Sequence, residues 1–376
     1  MRQRGEVVAA AVGLVAFLTT LGTAMLLRSV QESRVSHRSL VRQEAFHLAE
    51  AGIDRAALNL RTPSASDDLN SGILLTGTWT IDPPTSIGSL LYRVTAHGTS
   101  EQEQRNIEAV LQLTSQSVFQ FAVFGDQTLN VSGNARTDSY DSRTGPYVEA
   151  TAGAHGNVGT NATTAGGVTV GGSIFINGQV AVGPNVSDPT SVVTGYDPAF
   201  ITGNPKVVSQ ATSFPMPSVT IPEGCQQTLP PLVGNVRTFS SSAGTYCPTG
   251  DLTVNGGEVL TADGPVKIYL SGQLDISGNA TVGVATNPTA IKFLLTSTGG
   301  ATVEGTITGS TLFYGALYGP NATINLSGNT EVFGSIIART VNVSGNAELH
   351  YDEAMTTLTD ISNLYQTRLL SWQELN

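Results

Sequence analysis

The chain has 376 residues, enough for two domains beyond an anchoring segment, and only 12% of them are charged, about half the usual globular share. It carries 18 basic against 29 acidic side chains, a formal net charge of −11. An acidic chain with so few cations has no electrostatic reason to bind nucleic acid, and its aliphatic content excludes a disordered polyelectrolyte. The charge is uneven. Eight Arg meet five acids in residues 1–61, and ten basic residues meet 24 acids in the remainder. Forty-one glycines, with abundant Ser, Thr and Asn, point to β-structure with many turns.

From Val7 to Leu27 runs an uncharged apolar stretch. As a helix it is long enough to cross a hydrocarbon layer about 30 Å thick. Arg28 to Leu60 contains no Pro, and Ala45, Leu48, Ala49, Gly52, Ile53, Ala56, Ala57 and Leu60 recur at helical steps. The reading is one helix from about Val7 to Leu60, roughly 80 Å long, so its outer half must pack on something other than lipid. A retained membrane anchor is favoured over a cleaved signal peptide, because the run exceeds a typical signal core and the helical pattern continues past it. Arg2 and Arg4 precede the run while Arg28, Arg34, Arg38 and Arg42 follow it. A count of positive charges therefore does not place the N-terminus in the cytoplasm.

The leader MRQRG, the apolar stalk and QEAFHLAEAGIDRAALNL (Gln43 to Leu60) resemble the N-terminal segment of type IV pilin-like proteins. The likeness is to the PilX-type pilus-assembly group, whose hallmark A-F-x-x-A-E-A-G falls here on Ala45, Phe46, Ala49, Glu50, Ala51 and Gly52. It covers about the first 115 residues. The resemblance implies that residues 1–60 anchor a subunit in the inner membrane, N-terminus inside, and later pack in a fibre core. It also implies an extracytoplasmic ectodomain, displayed at the cell surface or on a pilus. The implied partners are other pilin subunits and the inner-membrane assembly machinery. Prepilins are cut after a Gly, here Gly5 before Glu6, and usually carry a Glu five residues beyond the cut. That fifth residue here is Ala10, so cleaved and uncleaved forms both stay open, to be separated by intact mass.

After a turn-rich linker, Thr78–Ile81, Leu91–Ala96 and Gln104–Leu113 read as strands of a small pilin-like sheet within residues 61–115. From Val118 the texture changes. Two aliphatics flanking one residue are followed by a Gly/Asn/Ser turn and then by a third aliphatic. The pattern falls on Leu129, Val131 and Thr137; Val168, Val170 and Ile176; Leu252, Val254 and Leu260. It returns on Leu274, Ile276 and Val282; Ile324, Leu326 and Val332; Val341, Val343 and Leu349. Alternation puts the leading pair on one face of a strand, and Gly supplies the positive-φ turn. Irregular repeats of this kind predict a parallel β-helix, a solenoid, over residues 116–351, in preference to a sandwich of hairpins.

Ten of the seventeen prolines lie between Pro184 and Pro248. Proline cannot donate to a ladder, which predicts an excursion from the solenoid over 184–250. Cys225 and Cys247, the only cysteines, flank a loop inside it. In an exported protein they are expected to join as a disulfide; two unpaired thiols are the alternative. Met355, Leu358, Ile361, Tyr365, Leu369 and Trp372 recur at helical spacing and predict a C-terminal capping helix over 352–376. The fold class expected is mainly β: a long N-terminal α-helix with a small pilin-like sheet, a parallel β-helix, and a C-terminal helix.

Signatures of catalysis are sparse. There is no G-x-S-x-G, no G-K-[ST] and no H-x-x-x-H among the five histidines. Asp126, Asp138, Asp141, Asp251 and Asp275 lie in or near repeats without forming a pair on one strand, as glycoside hydrolysis would need. No cofactor and no enzymatic activity are expected. The favoured function is a minor pilin-like subunit of a type IV pilus or related secretion fibre, at its tip or in assembly initiation. A membrane-anchored adhesin with a surface or glycan ligand, or a β-helical carbohydrate-active enzyme, is the alternative.

Overall fold

The computed structural model describes residues 2–61, 70–74, 77–296, 303–359 and 365–375; helix side chains are described from Leu14 onward, Ala16 apart. The chain is mainly β with one long N-terminal helix. It divides into two units, Met1–Thr114 with Tyr365–Asn376, and Ser115–Leu364.

In the first unit, α1 spans Arg2–Arg61 without interruption, as a Pro-free run of good helix formers dictates. Five strands follow: β1 (Ser71–Leu74), β2 (Gly77–Ile81), β3 (Thr85–Gly88), β4 (Leu91–Ser100) and β5 (Glu103–Ser115). All pair antiparallel with near neighbours in the chain. Val94 lies opposite Ala109, and Ala96 opposite Ile107. With Leu111 and Ile81 these residues form the sheet's buried face, covered by Ala49, Ile53 and Ala56 of α1.

The sheet gains a strand that the sequence reading does not expect. Tyr365–Leu375 is extended and lies beside β5. The capping helix over 352–376 is therefore corrected. Among the described residues of that span only Glu353–Thr357 turns, as a 3-10 segment, and Met355 and Leu358 are buried in the second unit. Ile361 lies outside the described residues. The physical reason is the bare edge of β5, whose unpaired N–H and C=O groups are better satisfied by a strand than by a helix beside them. Arg105 reaches Glu374 at 2.7 Å and Gln373 reaches Glu108 at 3.0 Å across that edge.

The second unit is built mainly from parallel ladders, with an antiparallel pair between Leu232–Val233 and Val236–Phe239. Its first strands are β6 (Val123–Val131) and β7 (Arg136–Tyr140). On one side β6 pairs with Val158–Gly159 and Val168–Val170; on the other it pairs with Glu331–Val343, near the end of the unit's sequence. The layers are therefore not stacked in chain order. The chain enters in the middle and builds outward to Val207–Ser209. It then re-enters at the opposite end through Val236–Phe239. From there it climbs through Leu252–Val254, Leu274–Ile276, Val303–Ile307 and Leu312–Leu326 until Glu331–Val343 and Glu348–Asp352 close on β6 and β7.

Every aliphatic of the repeated pattern points inward and is buried. Between the leading aliphatics stands an outward column in register: Thr194, Thr169, Asn130, Asn342, Asn325, Thr306, Asp275 and Thr253. Its asparagines bond to one another, Asn130 to Asn342 and Asn342 to Asn325, each at 2.8 Å. The turn glycines stack as well. Gly345 sits at φ 78°, and a Cβ there would lie 2.6 Å from the Gly328 carbonyl oxygen, so both conformation and space demand glycine.

The Pro-rich stretch is shorter as an excursion than its composition predicts. Val193–Thr194 and Val207–Ser209 remain in the ladders, because Pro189 and Pro198 sit in 3-10 turns capped by Asp188 and Asp197 rather than in strands. Only residues 210–231 carry the chain from one end of the stack to the other without a named strand. Phe214 is buried against Phe121 and Phe124 along this path, and the Tyr318 hydroxyl donates to the Pro217 carbonyl at 2.6 Å. Cys225 and Cys247 are joined, with Cα atoms 5.9 Å apart, tying the returning segment to the terminal layer.

Candidate assembly surface

The hallmark residues of α1 divide by direction. Ala45 and Ala49 are fully buried, and Gly52 is buried beside them. They allow the helix to approach β4 closely. A Cβ on Gly98 of β4 would overlap the Ala45 carbonyl oxygen and the Ala49 nitrogen, and one on Gly52 would lie 2.8 Å from Ala96 Cβ. Phe46 is half-buried, edge-on to Trp372 with ring centroids 5.9 Å apart. Ala51 is half-buried at the margin. Glu50 is exposed at the margin of a groove that Ile107, Leu369 and Trp372 also line, held by His47 Nδ1 at 2.8 Å. Gly5 and Glu6 fall among the residues whose side chains are not described.

The two halves of α1 differ sharply. From Val41 onward one face is buried, and polar ties reinforce it: Ser100 Oγ donates to Glu44 at 2.9 Å, and Arg42 pairs with Glu103 at 3.2 Å. From Leu14 to Leu40 the described side chains are exposed, Gly22 aside. They include Phe17, Leu21, Met25, Leu26, Leu27, Val30 and Val35. The only polar side chains between Leu14 and Leu27 are Thr19, Thr20 and Thr23. Each returns its hydroxyl to a carbonyl of its own helix, at 2.8–2.9 Å. This surface offers little to water and is suited to burial. Among the described residues no helix is long and apolar enough to cross a membrane, and the start of the Val7–Leu27 run lies outside the described side chains.

A second candidate lies within the other unit. A polar cleft is lined by Ser117, Gln120, Arg143, His155, Tyr351 and Glu353, among others. His155 Nδ1 lies 2.8 Å from Glu353 Oε1, which also accepts from Ser139 Oγ at 3.0 Å. Ser139 Oγ accepts from the His155 backbone N–H rather than meeting its ring, so no nucleophile–base pair forms. Among the described residues no three His, Cys, Asp or Glu side chains converge as a metal set.

Four of the five aspartates noted in the sequence are engaged in structure, and the fifth, Asp275, stands in the outward column. Asp126 binds Asn161, Asp251 accepts from the Gln273 N–H, and Asp141 accepts from Arg143. Asp138 accepts from the Tyr147 hydroxyl at 2.7 Å and lies 2.7 Å from His350 Nδ1. Burial, then this bond to Asp138, holds the Tyr147 phenol above its ordinary range. Sequence reasoning missed the surrounding column, in which Tyr314, Phe333, His350 and Asp138 stand in register. Tyr147 lies over His350 with ring centroids 3.9 Å apart. The only signal was outward aromatic positions in adjacent strands.

Compared with known proteins, residues 249–358 match a domain of unknown function, DUF7305. That span runs from the far end of the stack to the layer that closes on β6 and β7. No curated protein matches the chain. Among solved structures, it is similar to the competence-associated pilin ComZ from Thermus thermophilus at 15% identity, over 89% of this chain and 97% of that one, with a TM-score of 0.31. It is also similar to the DUF3494 domain of ice-binding protein 1 from Shewanella frigidimarina at 16% identity, over 64% of this chain and 99% of that one, with a TM-score of 0.37. At those scores neither likeness bears on function, which is approached through α1.

Proposed function

We propose that this chain is a minor subunit of a type IV pilus or related secretion fibre, positioned at the tip or in assembly initiation. One observation carries the reading. An exposed apolar helix half, with its hydroxyls bonded internally, continues directly into a half clamped on a sheet by small residues. Such a half needs an apolar environment that its own chain does not supply. The inner membrane before assembly, and the helices of other pilin subunits afterwards, supply it in turn. The PilX-type motif on Ala45 to Gly52 supports the same reading.

In this proposal the second unit is a parallel β-helix, displayed at the cell surface without catalytic duty. A unit as large as Ser115–Leu364 would obstruct lateral packing along a fibre, which favours the tip. The outward Thr and Asn column is the one observation that favours a second role, as an adhesin for a surface or glycan ligand. Immunogold labelling with an antibody to the second unit tests the assignment, on cells with and without pilus machinery. Gold at pilus ends that disappears without the machinery is expected. Gold spread over the surface of both strains would leave α1 as a mere anchor.

A further inference from the structure

We propose that the outer edge of the final strand, Tyr365–Leu375, is a docking site for an extended segment of another protein, one that carries an Arg or Lys between apolar residues. This goes beyond the pilin-like reading and does not depend on it.

By pairing with β5, the final strand covers one bare edge and presents another. The sheet ends there, and among the described residues no further backbone bond reaches Tyr365–Leu375. The N–H and C=O groups along that side keep the same capacity to pair that favours the strand beside β5. Other ladder ends are short. β1 has four residues, and Val207–Ser209 and Leu232–Val233 have three and two. The final strand has eleven, with no proline and no lysine to blunt it. Leu369, Leu370 and Trp372 are each about half exposed along it. A long apolar edge accepts a strand by β-augmentation, in which backbone bonds supply affinity and pockets for alternate side chains supply specificity.

Such a pocket adjoins the edge. Between α1 and the final strand lies a groove of about 280 Å³ lined by Glu50, Ile53, Asp54, Ile107, Leu369 and Trp372. Its base is aliphatic and aromatic, and its charged groups are both carboxylates, exposed on α1 one turn apart. Among the described residues Asp54 makes no ion pair, Glu50 pairs only with His47 of its own helix, and no cation lines the groove. A guanidinium or ammonium arriving there meets two carboxylates and the Trp372 ring, while its aliphatic stem lies on Ile107 and Leu369. An acidic side chain would meet like charge. Alternate residues of an added strand turn to the same side, so apolar residues two places from the basic one rest against the exposed leucine and tryptophan.

The test uses the full chain in lipid nanodiscs, with the peptide acetyl-TVTRTVT-amide as the probe. Adding it is expected to slow hydrogen exchange in Tyr365–Leu375 by at least about tenfold and to leave β1 unchanged. Replacing the peptide's Arg by Glu should weaken binding about tenfold, read by titration calorimetry, and methylating its backbone nitrogens should abolish binding. On the protein, Glu50→Gln with Asp54→Asn alters only exposed groups, and should weaken the Arg peptide about fivefold while leaving a peptide with Gln in that place unaffected. Equal binding of the Arg and Glu peptides, undiminished binding of the methylated one, or protection elsewhere than the final strand would overturn the proposal. So would protection of Tyr365–Leu375 before any peptide is added, in chains that sediment as dimers, which would give the edge to a second copy. None of these measurements involves pilus machinery, so their outcome is separate from that of the gold labelling.

Discussion

The two units solve strand pairing in opposite ways. In the first, β1 to β5 pair antiparallel with near neighbours in the chain, and only the final strand returns from afar. In the second, β6 meets its partner in Glu331–Val343, with most of the unit's sequence between them. Local pairing lets a sheet form as soon as its strands exist. The layered unit is complete only when its last layers close on its first, so its stability depends on a seam between chain-distant segments. Damage to the first unit should therefore stay local, while damage at the seam should spread.

The largest effect should come from breaking the first unit at its closest approach. Gly98→Val places side-chain atoms inside Ala45 and Ala49, and should destabilise the helix–sheet contact by more than about 3 kcal/mol. Protease sensitivity should rise around residues 41–61 while the second unit keeps its own unfolding transition. Simultaneous loss of both transitions would show that the units are not independent. At the seam, Leu129→Ala should cost about 3 kcal/mol, because it opens a cavity under a fully buried position. Hydrogen exchange should accelerate in both β6 and Glu331–Val343. The same change at peripheral Val193 should accelerate exchange only near itself.

Reducing the Cys225–Cys247 bridge is expected to cost up to about 3 kcal/mol, felt first at the end where the chain re-enters the stack. Chemical denaturation with and without reductant measures it. Asn342→Ala removes two ladder bonds and should cost about 1–2 kcal/mol.

The smallest effect concerns Asp352, whose carboxyl is buried beside the seam and pushed above the ordinary carboxylate range, chiefly by burial. A folded-state pKa raised above the unfolded value favours the protonated form. Its stabilising contribution is full in acid and is lost as pH rises through the folded value. Asp352→Asn can still accept from the Ser142 and Ala354 N–H groups that meet Oδ1. The variant should melt higher than the parent at neutral pH and lose that advantage in acid. An unchanged difference across pH would mean that the carboxyl does not titrate in this range.

Much of the first unit was legible because helix periodicity and strand alternation are local signals. The inward aliphatics of the second unit were legible for the same reason. One layer was not. In Val303–Ile307, Gly305 occupies the place of the first aliphatic, where a Cβ would lie 2.6 Å from Ile324 Cδ1, so the pattern breaks although the layer is there. Layer order was also hidden, since a parallel ladder accepts any partner of matching pattern, near or distant in the chain. The final strand was misread because Tyr365, Leu369 and Trp372 keep helical spacing, and the decisive influence was the open edge of β5, which no local pattern records. In the candidate surface, the motif marked the small residues that seat the helix.

The second unit is inserted between β5 and the strand that lies beside it, so two separate stretches of chain connect it to the helix-bearing unit. A single proteolytic nick in either connection leaves it attached through the other. Releasing the second unit requires one cut and the separation of that strand from β5, so any pull on it is shared between one covalent tether and one paired strand.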